Sequence, residues 1–182
     1  CEFSRIPFQA FLPVLRDPDF QFLEEEPNLL LRDNVKMHFT ASAWVLNPSK
    51  DKVLMLYHNI YQSWSWSGGH ADGEGDLLSV AMKEVKEESG LVSLKPLSDS
   101  PISIEILGVQ PHYKKQKYVS AHLHLNYTFL LHNTKEEKLK ICPEENSKVD
   151  WLSPDEAVRS STEAWMKPIY EKLNQKMRKY LG

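Results

Sequence analysis

Glu84, Glu87 and Glu88 stand at i, i+3 and i+4, inside a stretch with helix-like spacing of apolar residues. On a helix these three carboxylates point the same way. Without a partner that arrangement is unfavourable, because like charges at this spacing cost about 0.2–0.5 kcal/mol per pair. A divalent cation reverses the sign of that cost. Carboxylate oxygens suit Mg²⁺ or Mn²⁺, which also take water and phosphate oxygens as ligands. A solvated acidic face gives the same pattern, since Lys83 and Lys86 sit among the glutamates. The framing residues favour the ion: Gly68-Gly69 comes before the helix and Gly90 after it. A strand–loop–helix unit held between two tight turns can present a cation to a substrate.

Other groups with chemical potential have bland readings beside the functional ones. His70, after the glycine pair, can meet a phosphate or be a structural or exposed histidine. Lys114, Lys115 and Lys117 lie between Tyr113 and Tyr118. They can contact a phosphate or stack on a base, or form a solvated turn. Trp44, Trp64 and Trp66 can sandwich a base or pack in a core.

The elements that would position these groups follow from local pattern. Met37 to Leu46 and Lys52 to Tyr57 are rich in β-formers, and Asn47-Pro48-Ser49-Lys50-Asp51 between them is turn chemistry, which predicts a hairpin. The tract Trp64 to Gly69 alternates until it ends in the glycine pair. From Asp76 to Ser89 the pattern is helical. Leu77, Ala81, Val85 and Glu88 lie in one row, Asp76 caps the start, and Gly90 stops the helix in a left-handed conformation. Ile102 to Val109 and Val119 to Leu131 read as strands. In the second, His122, His124, Asn126 and Thr128 share one face. Val149 to Leu152 is a short strand. Ser153-Pro154 then opens a short helix, and a final helix carries Ile169, Leu173, Met177 and Tyr180 on one side. The expected architecture is α/β, a mixed sheet sandwiched between helices. Recurrent apolar residues from Phe3 to Leu15, broken by Pro7 and Pro13, predict an N-terminal helical extension. The expected layout is one domain over 1–182, with the extension at 1–36, the core at 37–158 and a C-terminal helix at 159–182.

The chain has 182 residues, 41% hydrophobic and 26% charged, the balance of a globular protein rather than a disordered one. The net charge of −3 gives no bulk attraction to polymeric nucleic acid or an anionic membrane. A polyphosphate ligand would need local positive charge, which a metal ion supplies. Cys1 and Cys142 are too few for a disulfide framework, and no Cys-x-x-Cys suggests zinc or redox chemistry. A reducing cytoplasm is therefore the expected location. No apolar run reaches the ~18 residues of a membrane span, and no signal-peptide pattern is read. The start at Cys1 without Met is that of a fragment. A lipid anchor on Cys1 is not expected, because no flexible polar tether follows it.

The segment Gly69 to Leu91 resembles the box of the Nudix hydrolases, G-x5-E-x7-R-E-U-x-E-E-x-G-U, where U is a bulky aliphatic residue. Seven of its nine fixed positions match: Gly69, Glu84, Val85, Glu87, Glu88, Gly90 and Leu91. Gly75 replaces the box glutamate, with Glu74 one residue early, and Lys83 replaces the box arginine. Ser67 stands where many members have proline. The resemblance covers about Met37 to Val158. It implies the Nudix fold and metal-dependent hydrolysis of a nucleoside diphosphate derivative by in-line attack of water on phosphorus. In that reading Glu87 and Glu88 are metal ligands, Glu84 is ligand or base, and the Gly69 carbonyl is a further ligand. A loop carboxylate outside the box is implied as well, with Glu144 and Glu145 the candidates, although a solvated acidic loop after Pro143 accounts for them equally. The candidate substrate contacts are His70, Lys114, Lys115, Lys117 and Trp66. In this fold the His122 and His124 face can also line a cleft, or simply be satisfied within the strand. The two box departures suggest a shifted support, with Glu74 reaching Lys83, or weaker catalysis, since lysine cannot reproduce an arginine fork.

A competing reading is a Nudix-fold module that senses a nucleotide without cleaving it, motivated by Gly75 and Lys83. The three intact glutamates argue against it. A second competitor, isopentenyl diphosphate isomerase, relies on an active-site cysteine, which neither Cys1 nor Cys142 is placed to supply. The identity of the small-molecule substrate is not readable, and a homodimer is compatible with the resemblance.

Overall fold

Alternating side chains explain the central strand. In β1 (Met37–Leu46), Phe39, Ala41, Ala43 and Val45 face one side, while His38, Thr40, Ser42 and Trp44 face the other. All ten residues are buried, as expected of a strand covered on both faces. The computed structural model describes residues 28–114 and 116–182. The extension expected at 1–36 lies outside the described residues up to Pro27, and the described part, 28–36, runs as turns.

β1 turns antiparallel into β2 (Val53–His58), meeting it at Leu46 and Val53. Asn47 holds that turn, accepting from the backbone N–H of Asp51 and of Lys52, each at 3.0 Å. The other neighbour of β1 is β9 (His122–Asn133), which runs parallel to it in unbroken register from Met37 beside Leu123 to Leu46 beside His132. The remaining strands attach around this pair. β3 (Ser63–Ser65) joins β2, β4 (Ser67–His70) joins β1, and β5 (Leu94–Pro96) and β6 (Ser103–Val109) join β9. β10 (Asn146–Leu152) closes the far edge on β2. β7 (His112–Lys114) and β8 (Lys117–Val119) form a separate hairpin. The strand expected over Val119–Leu131 is therefore two. Val119 pairs back onto β7, and a break at Ser120–Ala121 frees His122 to enter the main sheet.

Helices cover both faces. Helix α1 (Leu77–Ser89) lays Leu77, Val80, Ala81 and Val85 on Phe39, Ala43, Leu125, Tyr127 and Phe129. α2 (Pro154–Ser160) and α3 (Lys167–Leu181) cover Trp44, Leu46, Val53, Met55 and Leu130 with Ala157, Tyr170, Leu173 and Met177. Each fully buried aliphatic side chain here stabilises the fold by roughly 1.5–3 kcal/mol. α2 opens with the capping box Ser153–Glu156 and Pro154 at its first position. α3 buries Tyr170, Leu173, Asn174 and Met177, so the expected row Ile169–Leu173–Met177–Tyr180 is met at Leu173 and Met177, with Ile169 half-buried against the same cluster. The stripe is rotated because Trp44 stacks on Tyr170 at 5.4 Å between ring centroids, while the Tyr170 hydroxyl reaches Ser65 Oγ at 3.4 Å. Tyr180 stays exposed.

Trp44, Leu46 and Leu130 make one end of the α3-facing side apolar. Toward the start of β1 the same side is polar. Thr40 and Ser42 both donate to Asn126 Oδ1, at 2.9 and 2.8 Å. Asn126 bonds to Thr128, and Thr128 donates to Glu105 Oε2 at 3.1 Å. Lys172 of α3 reaches Glu105 Oε1 at 2.7 Å.

Candidate active site

α1 is fixed at both ends. Asp76 accepts from Ser79 N–H at 3.1 Å at the start, and Gly90 ends the helix in the left-handed region with φ 74°. Between these points the three glutamates take different environments. Glu88 is 4% exposed and points at the strand before the helix. It accepts hydrogen bonds from the Ser67 hydroxyl and, at 3.2 Å, from Gly68 N–H. Ser67 thus occupies a position where its hydroxyl serves the buried carboxylate. Glu84 is half-buried and lies over Gly69. A side chain at Gly69 would put its Cβ 2.5 Å from Glu84 Oε1 and 2.7 Å from Oε2, closer than real contacts allow. Gly68 is equally confined, since a Cβ there would lie 2.5 Å from Ser42 Oγ and 2.8 Å from the Ala41 carbonyl. The glycine pair is therefore part of β4, where close approach to β1 on one side and to α1 on the other leaves no room for side chains. Glu87 is exposed, with Lys83 Nζ 3.8 Å from Oε2.

The loop before β10 adds a fourth carboxylate. Asn146, itself buried, donates to the Glu88 carbonyl at 3.0 Å, which ties the loop to the C-terminal end of α1. The Asn59 N–H donates to the Glu145 carbonyl at 2.9 Å. These two anchors hold Glu145 where its charge acts on both Glu84 and Glu88. Glu144, one residue earlier, is not among the main influences on either.

Burial, reinforced by Glu145 and Glu84, pushes the Glu88 carboxyl up to about 8 against the hydrogen bonds that oppose it. Burial also raises Glu84, with Glu87, Glu145 and Asp72 adding and Lys83 opposing. An acid whose pKa is higher in the folded state favours folding when protonated. The Glu88 contribution is thus complete below its ordinary value of 4.5 and is lost as pH rises through about 8. Metal-free protein is expected to lose thermal stability from pH 5 to pH 8, and Mg²⁺ to restore it at the upper end. A melting temperature that stays flat over that range without metal would contradict the assigned environment of Glu88.

Positive charge comes from an arginine that the sequence reading did not single out. Arg32 donates Nε to Asp72 Oδ1 at 2.6 Å and Nη2 to Oδ2, and its charge is felt by Glu84 and Glu145. This fork holds the Asp72 carboxyl below its usual range. Asp72 and Gly73, with φ 48° and 91°, form the tight turn between β4 and α1. The only sequence signal for the pair was Asp72 itself in that turn.

Glu84 and Glu88 lie against the glycine pair of β4, Glu145 acts on both from the loop before β10, and Glu87 stands on the exposed side of α1. Such an oxygen-rich set fits Mg²⁺ or Mn²⁺, because a hard cation favours the charged form of carboxylates that burial disfavours. The family model described as the NUDIX domain matches residues 36–173. The chain belongs to the Nudix hydrolase family. Several solved structures share its fold. An Ap4A hydrolase from C. elegans in a binary complex aligns with a TM-score of 0.57 and 18% identity, covering 75% of this chain and 95% of that one. A hydrolase of the NUDIX family from Clostridium perfringens gives 0.56 and 18%, covering 78% and 96%. The E. coli dihydroneopterin triphosphate pyrophosphohydrolase gives 0.54 and 17%, covering 74% and 92%. A search of the curated proteins found no match.

Within this Nudix box the two departures are resolved locally. Glu74 does not reach Lys83: its carboxylate accepts from the Asp76 N–H at 2.8 Å and so braces the entry to α1. Lys83 pairs with Glu87 instead. The expected shifted support is thus replaced by two separate contacts. Trp66 packs edge-on to Tyr170 at 5.6 Å, and Trp64 edge-on to Tyr57 at 5.7 Å, while Trp44 is fully buried. Lys114 and Lys117 face each other as Cα partners across the β7–β8 hairpin, whose Tyr113 and Tyr118 are exposed. Lys115 lies outside the described residues. His70 ends β4, with His122 and His124 nearby. Among the described residues no helix is long and apolar enough to cross a membrane.

Making Gly69 an alanine is expected to displace Glu84 and reduce turnover at least about tenfold, on the scale of small misplacements in a reacting site. Circular dichroism should remain that of the parent. Undiminished turnover would mean that the Glu84 position over Gly69 is not needed.

Proposed function

We propose that this Nudix protein is a pyrophosphohydrolase that cleaves the diphosphate bond of a small nucleoside diphosphate derivative with Mg²⁺ or Mn²⁺. The observation that carries this reading is the burial of Glu88 against Ser67 and Gly68, with Glu84 and Glu145 acting on it. Glu84, Glu87, Glu88 and the Gly69 carbonyl would hold the metal. When bound, it supplies positive charge against the charge that develops on the diphosphate.

The protein residues carry the rest. Glu145 stands outside the helix, facing Glu84 and Glu88, which suits it to accept a proton from the attacking water. The water oxygen forms a bond to phosphorus, and the bridging P–O bond breaks. One proton passes to Glu145, and the leaving phosphate or nucleotide takes the electron pair. Arg32, held by Asp72, adds positive potential near the same carboxylates. His70 follows Gly69 at the end of β4, and we place the leaving moiety on that side.

The named neighbours act on dinucleoside and pterin polyphosphates, so compounds of both kinds belong in the first panel. The test is release of phosphate, pyrophosphate or nucleoside monophosphate across nucleoside triphosphates, nucleotide sugars, ADP-ribose, dinucleoside polyphosphates and a pterin triphosphate. Each is run with Mg²⁺, with Mn²⁺ and with chelator. Metal-dependent release from one class is expected. Nucleotide binding with no release from any class would favour the sensing module.

A further inference from the structure

Four of the seven histidines meet at one place. The parallel register sets His38 of β1 beside His124 of β9, and His122 follows on the same face two residues earlier. β4 brings His70 to the position opposite Thr40, one step from His38. The ring centroids of His38 lie 5.1 Å from His70, 4.9 Å from His122 and 5.0 Å from His124. One ring nitrogen each from His38, His70 and His124 falls within 4.8 Å of the other two.

The hydrogen bonds fix which nitrogens are available. His38 Nδ1 bonds to the Asn34 carbonyl at 3.1 Å, so Nδ1 carries the proton and Nε2 presents its lone pair. His38 is 4% exposed, and its Nε2 has no hydrogen-bond partner among the described residues. His122 repeats the arrangement: Nδ1 bonds to the Ser120 carbonyl at 2.8 Å, which aims Nε2 at His124 Nε2, 3.1 Å away. An imidazole whose second nitrogen donates to a backbone carbonyl is the usual state of a metal-bound histidine. Burial keeps His38 and His124 neutral, the form that ligates.

We propose that His38, His70 and His124, with His122 as fourth ligand, bind one transition-metal dication of the Zn²⁺ class. All-imidazole donors select such an ion over Mg²⁺, which prefers the carboxylates of α1. Metal–nitrogen bonds of ~2.0–2.1 Å in a tetrahedron need nitrogens roughly 3.3–3.4 Å apart. The His122–His124 spacing of 3.1 Å is already close to that, and the nitrogens of His38, His70 and His124, within 4.8 Å of one another, draw closer around the ion. The ion ties together three strands that meet only by long-range pairing. It also fixes the residue after Gly69, so it bears on the neighbouring site.

The test uses the full chain, stripped with chelator and titrated with Co²⁺, then with Zn²⁺. The expected result is an intense visible Co²⁺ band of a nitrogen-ligated, low-coordinate ion, abolished by one equivalent of Zn²⁺. That band should persist in Glu88→Gln and in His132→Asn, whose ring bonds elsewhere to the Pro48 carbonyl. His124→Gln and His70→Asn should each weaken Zn²⁺ binding by about 100-fold. His70 decides the matter if the more buried His124 variant misfolds. Absence of the band in the parent protein, or a band unchanged in a normally folded His70→Asn, would overturn the proposal. Zn²⁺ binding is read without turnover, so its failure is distinct from failure of the hydrolase reading.

Discussion

Glu88→Gln is expected to lower Mg²⁺-supported turnover at least ~10²-fold while leaving the metal-free protein as stable as the parent, or more so, near pH 8. The two effects share one cause. Glutamine keeps the shape of the side chain, and its amide oxygen can still accept from Ser67 Oγ and Gly68 N–H. Only the charge is lost. In the metal-free protein that charge is a burden, as the rise of its pKa to about 8 records. In the loaded protein it holds the cation that stabilises the transition state, and losing one such contributor costs about 10²–10³ in rate. Steady-state kinetics beside thermal melts at pH 8 check both halves. Near-parent turnover would remove Glu88 from the site, and a collapsed fold would mean the pocket requires the carboxylate for structure.

Glu145→Gln is expected to reduce kcat by about 10²-fold, the lower range for loss of a general base, and Glu144→Gln to leave it within about twofold. The contrast is what distinguishes a placed base from an acidic loop. Both residues are exposed, yet Glu145 is the one among the main influences on Glu84 and Glu88, and Asn146 beside it is bonded to the helix. Equal rates for both variants would return the loop to a solvated role and leave Glu84 as the base.

The helix that carries the glutamates was legible because every cue is local. Asp76, the apolar row and Gly90 lie within one segment, and the structure realises each of them. The same holds for the Asn47 turn and the Ser153 cap. What sequence could not show depends on long-range pairing. His38 looked like one more residue in a β-rich run, and nothing near it in the chain pointed to His124, its neighbour across the sheet. Arg32 was hidden for a similar reason, since its partner Asp72 lies 40 residues away. Glu144 and Glu145 were inseparable in sequence, because what distinguishes them is the anchoring of Asn146 to α1. The rotated stripe on α3 shows a different limit. Apolarity favours Ile169 and Tyr180, but the partner surface, Trp44 with Ser65, selects Tyr170.

The parallel pairing of β1 with β9 also has a meaning in time. The two strands at the centre of the sheet are separated by more than half of the intervening domain, and a parallel ladder of that span forms only after a long loop has closed. During synthesis the box helix and its glutamates leave the ribosome well before β9 does. Until Asn133 has emerged, β1 lacks its longest neighbour and α1 lacks the Leu125–Phe129 surface it packs on. The acidic cluster is therefore assembled late, and a nascent chain displays its glutamates to solvent before it can gather them around an ion.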